Sequence, residues 1–304
     1  MSIFVFRSAA STGARALAEA LAGGVRVRRQ ETIARRARSG DIFVSWGDVI
    51  SGLPSGVKAL NNITLTNKFS DAVKLKEAGV ATIEVSQTRP APVPQEAPPD
   101  PLADLWEEAA DYAEAFIDLR PVRTDVAVSG VRDFLNKLQD VYRVMQTPAP
   151  QAPPAAPLGE WLGRLKNHVG GNDLLIPTTT PEYFVKKEDF TREYRIHSFL
   201  GRSLRAGAKQ HREGITNPHP WIRSWDGGWR IVYDGVTVKQ RHRDIAHKAV
   251  KALGLDFGAV DIGERGDGTL VVLEVNRAPG LEGGTVDAYA RAIERFKSGE
   301  WTAQ

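Results

Sequence analysis

The sequence predicts an α/β N-terminal lobe followed by α+β lobes with mixed and antiparallel sheets, and a helical hairpin insertion. Three observations support this fold class. Strand-like and helix-like segments alternate at the start of the chain, two proline-rich stretches enclose a helical segment, and mainly short strands follow. Alternating strands and helices favour a parallel sheet, whereas successive strands favour antiparallel pairing.

The first 50 residues have the order βαβαβ. The strand-like segments are SIFVF, VRVRR and DIFVSWG, and glycines follow the helical segments between them. A helix within TNKFSDAVKLKEAGV and a strand VATIEV come next. The loop SAASTG lacks the G-x-G-x-x-G pattern, so we do not expect a dinucleotide site there.

Proline marks the boundaries of an insertion. Of the 18 prolines, six lie within 87–101 and five within 147–157. Such stretches form stiff, extended linkers. Apolar residues recur at helical spacing between them, from Leu102 to Ile117 and from Val131 to Met145. We therefore expect a helical insertion at about residues 100–148.

Composition excludes several classes of function. The 304 residues contain no cysteine and carry a formal charge of +3. Disulfides, thiolate nucleophiles and thiolate metal sites are thereby excluded, so catalysis must use oxygen and nitrogen groups. The apolar run from Ile3 to Phe6 is too short for a signal sequence, and no stretch approaches about 20 apolar residues. We expect a cytoplasmic protein without membrane contact, and a homo-oligomer is compatible with the sequence.

The second half ends in a pair of strands with acidic side chains. Residues two apart on a strand share a face, so Glu274 and Asn276 point the same way, and we place Val272 on that face as well. A hairpin that turns at 266–268 puts Asp261 opposite Glu274. Three oxygen donors of this kind suit Mg²⁺. The alternative is a set of solvent-facing polar residues, but the glycine-rich loop after Asn276 favours a reaction centre.

In these motifs the chain resembles the ATP-grasp superfamily, and more narrowly the RimK-like and phage-encoded ATP-grasp ligases. The resemblance covers about 60–85 and 160–290. Its motifs are Asn67-Lys68 at a helix start, Glu193-Tyr-Arg195 in a strand, the segment 254–261 ending in Asp261, Glu274-Val-Asn276, and Pro279-Gly280-Leu281.

The resemblance implies three parts of the chain. Residues 1–62 would form an N-terminal Rossmann-like domain that precedes the ATP-grasp lobes. Residues 63–190 would form the first ATP-grasp subdomain, interrupted by the insertion at about 100–148. Residues 191–304 would form the C-terminal subdomain with the Mg²⁺ and ATP site.

The resemblance also implies ATP and Mg²⁺ as cofactors and gives roles to individual residues. Asp261, Glu274 and Asn276 would bind Mg²⁺. Lys68 would contact a phosphate, Lys186 and Lys187 would lie along the adenine, and Glu193 would hold the ribose. Arg195 would stabilise the transferring phosphoryl group, with Lys209 or Arg212 assisting. The loop GRLKNHVGG would cover the phosphates, with Arg164 or Lys166 where relatives have a lysine.

The implied activity is ligation of a carboxylate to an amine through an acyl phosphate, which releases ADP and phosphate. An amino acid, a peptide or a modified base would serve as substrate. Two alternatives stay open, a phosphotransferase and an ATP-binding or structural protein without turnover. The basic, tryptophan-containing segment 186–251 would also suit nucleic acid. The favoured interpretation instead packs the tryptophans under a sheet and lines an ATP cleft with the basic residues.

Overall fold

A computed structural model of the chain describes residues 1–7, 11–64, 66–90, 161–166, 180–219 and 222–302. The chain divides into two units, Met1–Arg89 with Trp161–Gln304, and Pro90–Glu160. The predicted helical insertion lies outside the described residues, and so does the part of the predicted phosphate-covering loop after residue 166. The subdomain boundaries remain predictions. No helix within the described ranges is long and apolar enough to cross a membrane.

A four-stranded parallel sheet forms the N-terminal part, as the βαβαβ pattern predicts. Its strands have the order β2-β1-β3-β4. Both central strands are fully buried, which is typical of a parallel sheet covered on both faces. The elements are β1 Ile3–Phe6, α1 Thr12–Ala20, β2 Gly24–Val27, α2 Gln30–Arg36, β3 Ile42–Ser45, β4 Lys58–Leu60 and α3 Lys68–Glu77.

Two antiparallel sheets make up the rest. The small sheet has the order β5-β7-β6 and the large one the order β10-β9-β8-β11-β12. Their strands are β5 Val85–Ser86, β6 Trp161–Arg164, β7 Tyr183–Lys186, β8 Arg192–Phe199, β9 Arg202–His211, β10 Trp229–Val232, β11 Phe257–Glu264 and β12 Leu270–Asn276; the helices are α4 Gln240–Ala252 and α5 Gly284–Lys297. The predicted strand VATIEV is shorter than expected, because only its last residue joins β5, while Thr82 forms an isolated bridge to Val272.

One face of the large sheet is apolar, and the other carries the charged side chains. On the apolar side, Ile196, Val260 and Ile262 pack against Ala246 and Ala249 of α4 in one buried cluster. Burial of this cluster is worth roughly 1.5–3 kcal/mol per large side chain and fixes the sheet on the helix. The opposite face packs Phe199 and Phe257 into the core of the parallel sheet at one end and carries Arg195 and Asp261 further along the same two strands.

A β-bulge in β12 corrects one prediction. Asp261 pairs with Glu274, as the hairpin predicts, but the next pair is Ile262 with Val272, so Leu273 is the extra residue. An extra residue reverses the alternation of faces. Val272 consequently lies in the apolar cluster with Ile262 and is fully buried, whereas the sequence placed it on the face of Glu274.

Asn61 joins the parallel sheet to the large antiparallel sheet. Its Nδ2 donates to the carbonyl of Phe257 at 2.8 Å, and its Oδ1 accepts from the backbone N–H of Asp256 at 2.7 Å and of Phe257 at 3.0 Å. Asn61 has a φ of 56°, a left-handed conformation that asparagine tolerates. These bonds fix the start of β11, the strand that carries Asp261.

Candidate active site on the polar face of the large sheet

Strand register brings the charged residues of three strands together. Arg195 on β8 pairs with Asp261 on β11 and with Gly207 on β9, and Asp261 pairs in turn with Glu274 on β12. Directly opposite residues point to the same face of a sheet. Asp261, Glu274 and Arg195 therefore lie side by side, as the sequence pattern indicates for the two acids.

Asp261 forms a two-point ion pair with Arg195. The Nε and Nη2 atoms of Arg195 lie 2.6 and 2.7 Å from Oδ1 and Oδ2 of Asp261. The carboxylate is 5% exposed, which strengthens its attraction to the guanidinium. Burial would lower the pKa of Arg195, but Asp261 and then Glu274 outweigh it and raise that pKa, so the guanidinium stays charged.

Glu274 is held between Lys68 and Asn276. The Nζ atom of Lys68 lies 2.6 Å from Oε2 of Glu274, and Nδ2 of Asn276 donates to Oε1 at 2.9 Å. Lys68 is the first residue of α3, whose N-cap Asn67 accepts from the N–H of Ser70. Burial would raise the pKa of Glu274, but Lys68 and Asn276 hold it well below its usual range.

Lys209 and Arg223 neutralise Glu193. The Nζ of Lys209 lies 2.8 Å from Oε2 of Glu193 and 3.8 Å from Oδ2 of Asp261, and Nε of Arg223 lies 3.3 Å from Oε1 of Glu193. Burial would lower the pKa of Lys209, but Asp261 and Glu193 raise it. Glu193 is 6% exposed and both its oxygens have cationic partners. In this structure Glu193 anchors Lys209, and the ribose contact expected of Glu193 remains a prediction.

Arg212 and Trp225 stack on each other outside this charged group. The guanidinium carbon of Arg212 lies 3.7 Å from the ring centroid of Trp225, and its Nη1 donates to the carbonyl of Trp225. Trp225 is 62% exposed, so the expectation that the tryptophans pack under a sheet is wrong for this residue. The reason is that Arg212 and Trp225 both lie beyond the last pair of β9 and β10, which is His211 with Trp229.

The remaining predicted nucleotide contacts lie on the small sheet and beside it. Arg164 on β6 pairs with Tyr183 on β7, and Lys166 donates its backbone N–H to Glu182 at 2.8 Å. Lys186 ends β7, and its Nζ lies 3.5 Å from Oε2 of Glu84. Lys187 follows that strand. Their contacts with a nucleotide remain predictions.

The sequence interpretation did not predict the buried hydrogen bonds of His197 with two tyrosines. His197 lies two residues after Arg195 on the same face, and its Nε2 and Nδ1 lie 2.9 and 3.2 Å from the hydroxyls of Tyr233 and Tyr289. Burial and then the charge of Arg195 lower the pKa of His197 to about 3, so the ring is neutral. The only sequence signal was the two-residue spacing from Arg195. Arg223 gave no signal, because it reaches Glu193 across 30 residues of chain.

The donor set on this face fits Mg²⁺. Two carboxylates and an amide oxygen on adjacent strand positions are hard ligands, and Mg²⁺ takes few protein ligands when substrate phosphates complete its shell. No group of three His, Asp or Glu side chains converges within the described ranges. In the structure Lys68 and Arg195 supply the positive charge at these acids. A bound cation must share Glu274 with Lys68 or displace it.

Comparison with known proteins gives matches of two kinds, although no family model matches the chain. A stretch of 47 residues is 55% identical to the ribosomal protein bS6–L-glutamate ligase of Salmonella paratyphi B. This match covers 16% of the chain and only 15% of that relative.

Two solved structures share the architecture over nearly the whole chain. D-alanine–D-alanine ligase from Bacillus anthracis has a TM-score of 0.51 at 13% identity, over 99% of this chain and 100% of that one. The ATP-grasp ligase PsnB complexed with minimal precursor has a TM-score of 0.53 at 11% identity, over 97% and 98%. The chain therefore has the fold of the ATP-grasp ligases.

Proposed function

We propose that the protein is an ATP-dependent ligase that joins a carboxylate to an amine through an acyl phosphate and releases ADP and phosphate. The observation that carries this proposal is the polar face of the large sheet. It places Asp261, Glu274 and Asn276 beside Lys68 and Arg195 in a fold shared with ATP-grasp ligases. Phosphoryl transfer needs this combination of positioned cations and oxygen ligands.

ATP and Mg²⁺ are the proposed cofactors. Asp261, Glu274 and Asn276 would hold the metal, which neutralises charge on the β- and γ-phosphates when bound. Lys68 would move its ammonium from Glu274 to a phosphate oxygen. Lys186, Lys187, Arg164 and Lys166 remain proposed nucleotide contacts.

The chain's own residues would then act on the transferring group. The carboxylate oxygen of the acid substrate attacks the γ-phosphorus, and the bond from that phosphorus to the ADP oxygen breaks. Arg195 and Lys209 stabilise the charge on the transferring oxygens, because both are mostly buried cations on the same face. The amine next attacks the acyl carbon, phosphate leaves, and the amine loses its proton to solvent.

The substrate class we propose is an amino acid or a peptide. The fold shared with a D-alanine–D-alanine ligase and with the ATP-grasp ligase PsnB, which was solved in complex with a minimal precursor, supports this class. The short match to a bS6–L-glutamate ligase supports a RimK-like subgroup. The cations Arg205, Arg223 and Lys209 on or beside this face suit an acidic substrate.

The test is ADP release with pooled carboxylic acids and amines, Mg²⁺ and ATP, followed by mass spectrometry. We expect ADP only when an acid and an amine are both present, and a product mass equal to their sum minus water. A phosphorylated acid or alcohol as the stable product would favour the phosphotransferase instead. Absence of ADP in every pool, with ATP bound, would contradict the enzyme assignment and favour a binding protein.

A further inference from the structure

Arg277 ties the strand of the candidate metal ligands to the first turn of α3. It follows Asn276 directly, and its Nη2 lies 2.6 Å from Oδ1 of Asp71 and 2.5 Å from the hydroxyl of Thr66. The hydroxyl of Thr66 also donates to Asp71. Arg277 and Asp71 are only 11% and 10% exposed. This is a buried contact between two segments that lie more than 200 residues apart in the chain.

The two partners of Arg277 lie on either side of Lys68 in the chain. Thr66 lies two residues before it and Asp71 lies three residues after it, which is about one helical turn. The N-cap bond from Asn67 to Ser70 closes the same turn. Both ends of this turn are therefore bound to Arg277, and Lys68 projects from between them to Glu274.

A lysine side chain loses considerable rotamer freedom when its ammonium binds a partner. Its ammonium reaches a target reliably only if the backbone that carries it is fixed. Lys68 has two targets in the proposed reaction, Glu274 in the structure and a phosphate oxygen of ATP. Both require the start of α3 to keep its place beside β12.

We propose that Arg277 is a positioning residue for Lys68 in nucleotide binding. Arg277 holds the first turn of α3 on the metal-ligand strand, so that Lys68 transfers from Glu274 to a phosphate by rotation of its side chain alone. This inference rests on the proposed function, because it requires that Lys68 contacts ATP. It assigns Arg277 no contact with substrate.

The experiment is a binding titration of the full chain with a non-hydrolysable ATP analogue and Mg²⁺. The variants are Arg277→Met, Lys68→Met and the double variant. If Arg277 acts through Lys68, each single variant raises Kd by about tenfold or more, and the double variant is no worse than Lys68→Met. Arg277→Lys should recover part of the affinity, because one nitrogen contacts both acceptors in the structure.

Arg265→Met is the matched control. Arg265 lies after β11 and forms an equally short ion pair, 2.6 Å from Glu188, that does not touch α3. It should leave Kd within about twofold of the wild type, and circular dichroism should show every variant folded. An Arg277→Met protein that is folded and binds as tightly as the wild type overturns the inference, and so do additive effects in the double variant. A wild-type protein that binds no nucleotide overturns the proposed function itself.

Discussion

Lys68 and Glu274 form a 2.6 Å ion pair across 206 residues of chain, between the start of α3 and the strand that carries the candidate metal ligands. The pair joins the residue we assign to a phosphate with one we assign to a metal. In the structure Lys68 and Glu274 neutralise each other. In the nucleotide complex, a phosphate would neutralise Lys68 and Mg²⁺ would neutralise Glu274. Binding of that complex would exchange one set of ionic contacts for another, which limits the cost of desolvating either group.

Replacement of Glu274 by Gln tests this exchange. Glutamine keeps the shape of the side chain but removes the charge that holds a cation. We expect Mg²⁺-dependent ADP formation to fall by about 100-fold or more. Glu282→Gln, an exposed residue of the following loop, is the control and should keep full activity. Unchanged ADP formation by Glu274→Gln would remove Glu274 from the metal site.

Replacement of Arg195 by Lys tests the transferring group. Lysine keeps the charge but cannot form the two-point pair with Asp261. We expect kcat for ADP formation to fall by about 100-fold while the Kd for ATP changes by less than about threefold, because the role of Arg195 lies in the transition state. Steady-state kinetics and nucleotide titration measure the two quantities. A large rise in Kd with unchanged kcat would make Arg195 a ground-state contact.

Replacement of Glu193 by Gln separates its two assigned roles. Loss of the charge leaves Lys209 and Arg223 without their buried partner, so we expect the free energy of unfolding to fall by about 3 kcal/mol and KM for ATP to change little. Glu84→Gln, which breaks the half-exposed pair with Lys186, should cost less than about 1 kcal/mol. A sharp rise in KM at unchanged stability would support the ribose role and contradict the anchoring role.

The local sequence pattern was enough to predict the element types and the pairing of Asp261 with Glu274. Both follow from short-range periodicity and from a turn only a few residues long. The face of Val272 was not predictable in the same way. A bulge depends on how both strands pack against α4, and no feature of the single strand marks Leu273 as the extra residue.

Ion pairs between residues far apart in the chain could not be predicted from the sequence. The resemblance alone assigns Glu193 to the ribose, and its strand context gives no indication of Arg223, which reaches Glu193 from the loop between β9 and β10. A cation that neutralises a buried acid is identified only when the strands are paired in register. The fold brings Lys68, Glu193, Arg195, Lys209, Asp261, Glu274 and Asn276 together. Their individual roles depend on partners that sequence spacing does not reveal.

Gly207 lies opposite Arg195 on β9, where a side chain has no room. A Cβ atom at this position would come within 2.6 Å of Cγ2 of Ile231 and 2.9 Å of Cδ1 of Tyr233. We expect Gly207→Ala to lower the free energy of unfolding by about 1–3 kcal/mol in denaturant titrations. Gly266→Ala is the control, because a Cβ there meets nothing within 4 Å. Equal stability of the two variants would show that Tyr233 moves without cost.

His197 should make the stability of the protein depend on pH. Its folded pKa of about 3 lies below the ordinary value of 6.5, because burial and the charge of Arg195 disfavour the imidazolium. Below pH 6.5 the imidazole of His197 is therefore protonated in the unfolded chain, whereas it stays neutral in the folded chain until the pH approaches 3. Its contribution to stability is complete above that pH and is lost as pH falls from about 6.5 towards 3.

Denaturant unfolding between pH 7 and 5 measures this contribution. We expect the free energy of unfolding of the wild type to fall with decreasing pH, with a contribution from His197 of at most about 1.4 kcal/mol per pH unit. His197→Gln should remove the contribution of His197 to the pH dependence of the free energy of unfolding, whatever its effect on stability at pH 7. The slope that remains belongs to groups such as His242 and His247, whose pKa values burial also lowers. Equal slopes for the two proteins would mean that His197 takes up its proton in the folded state.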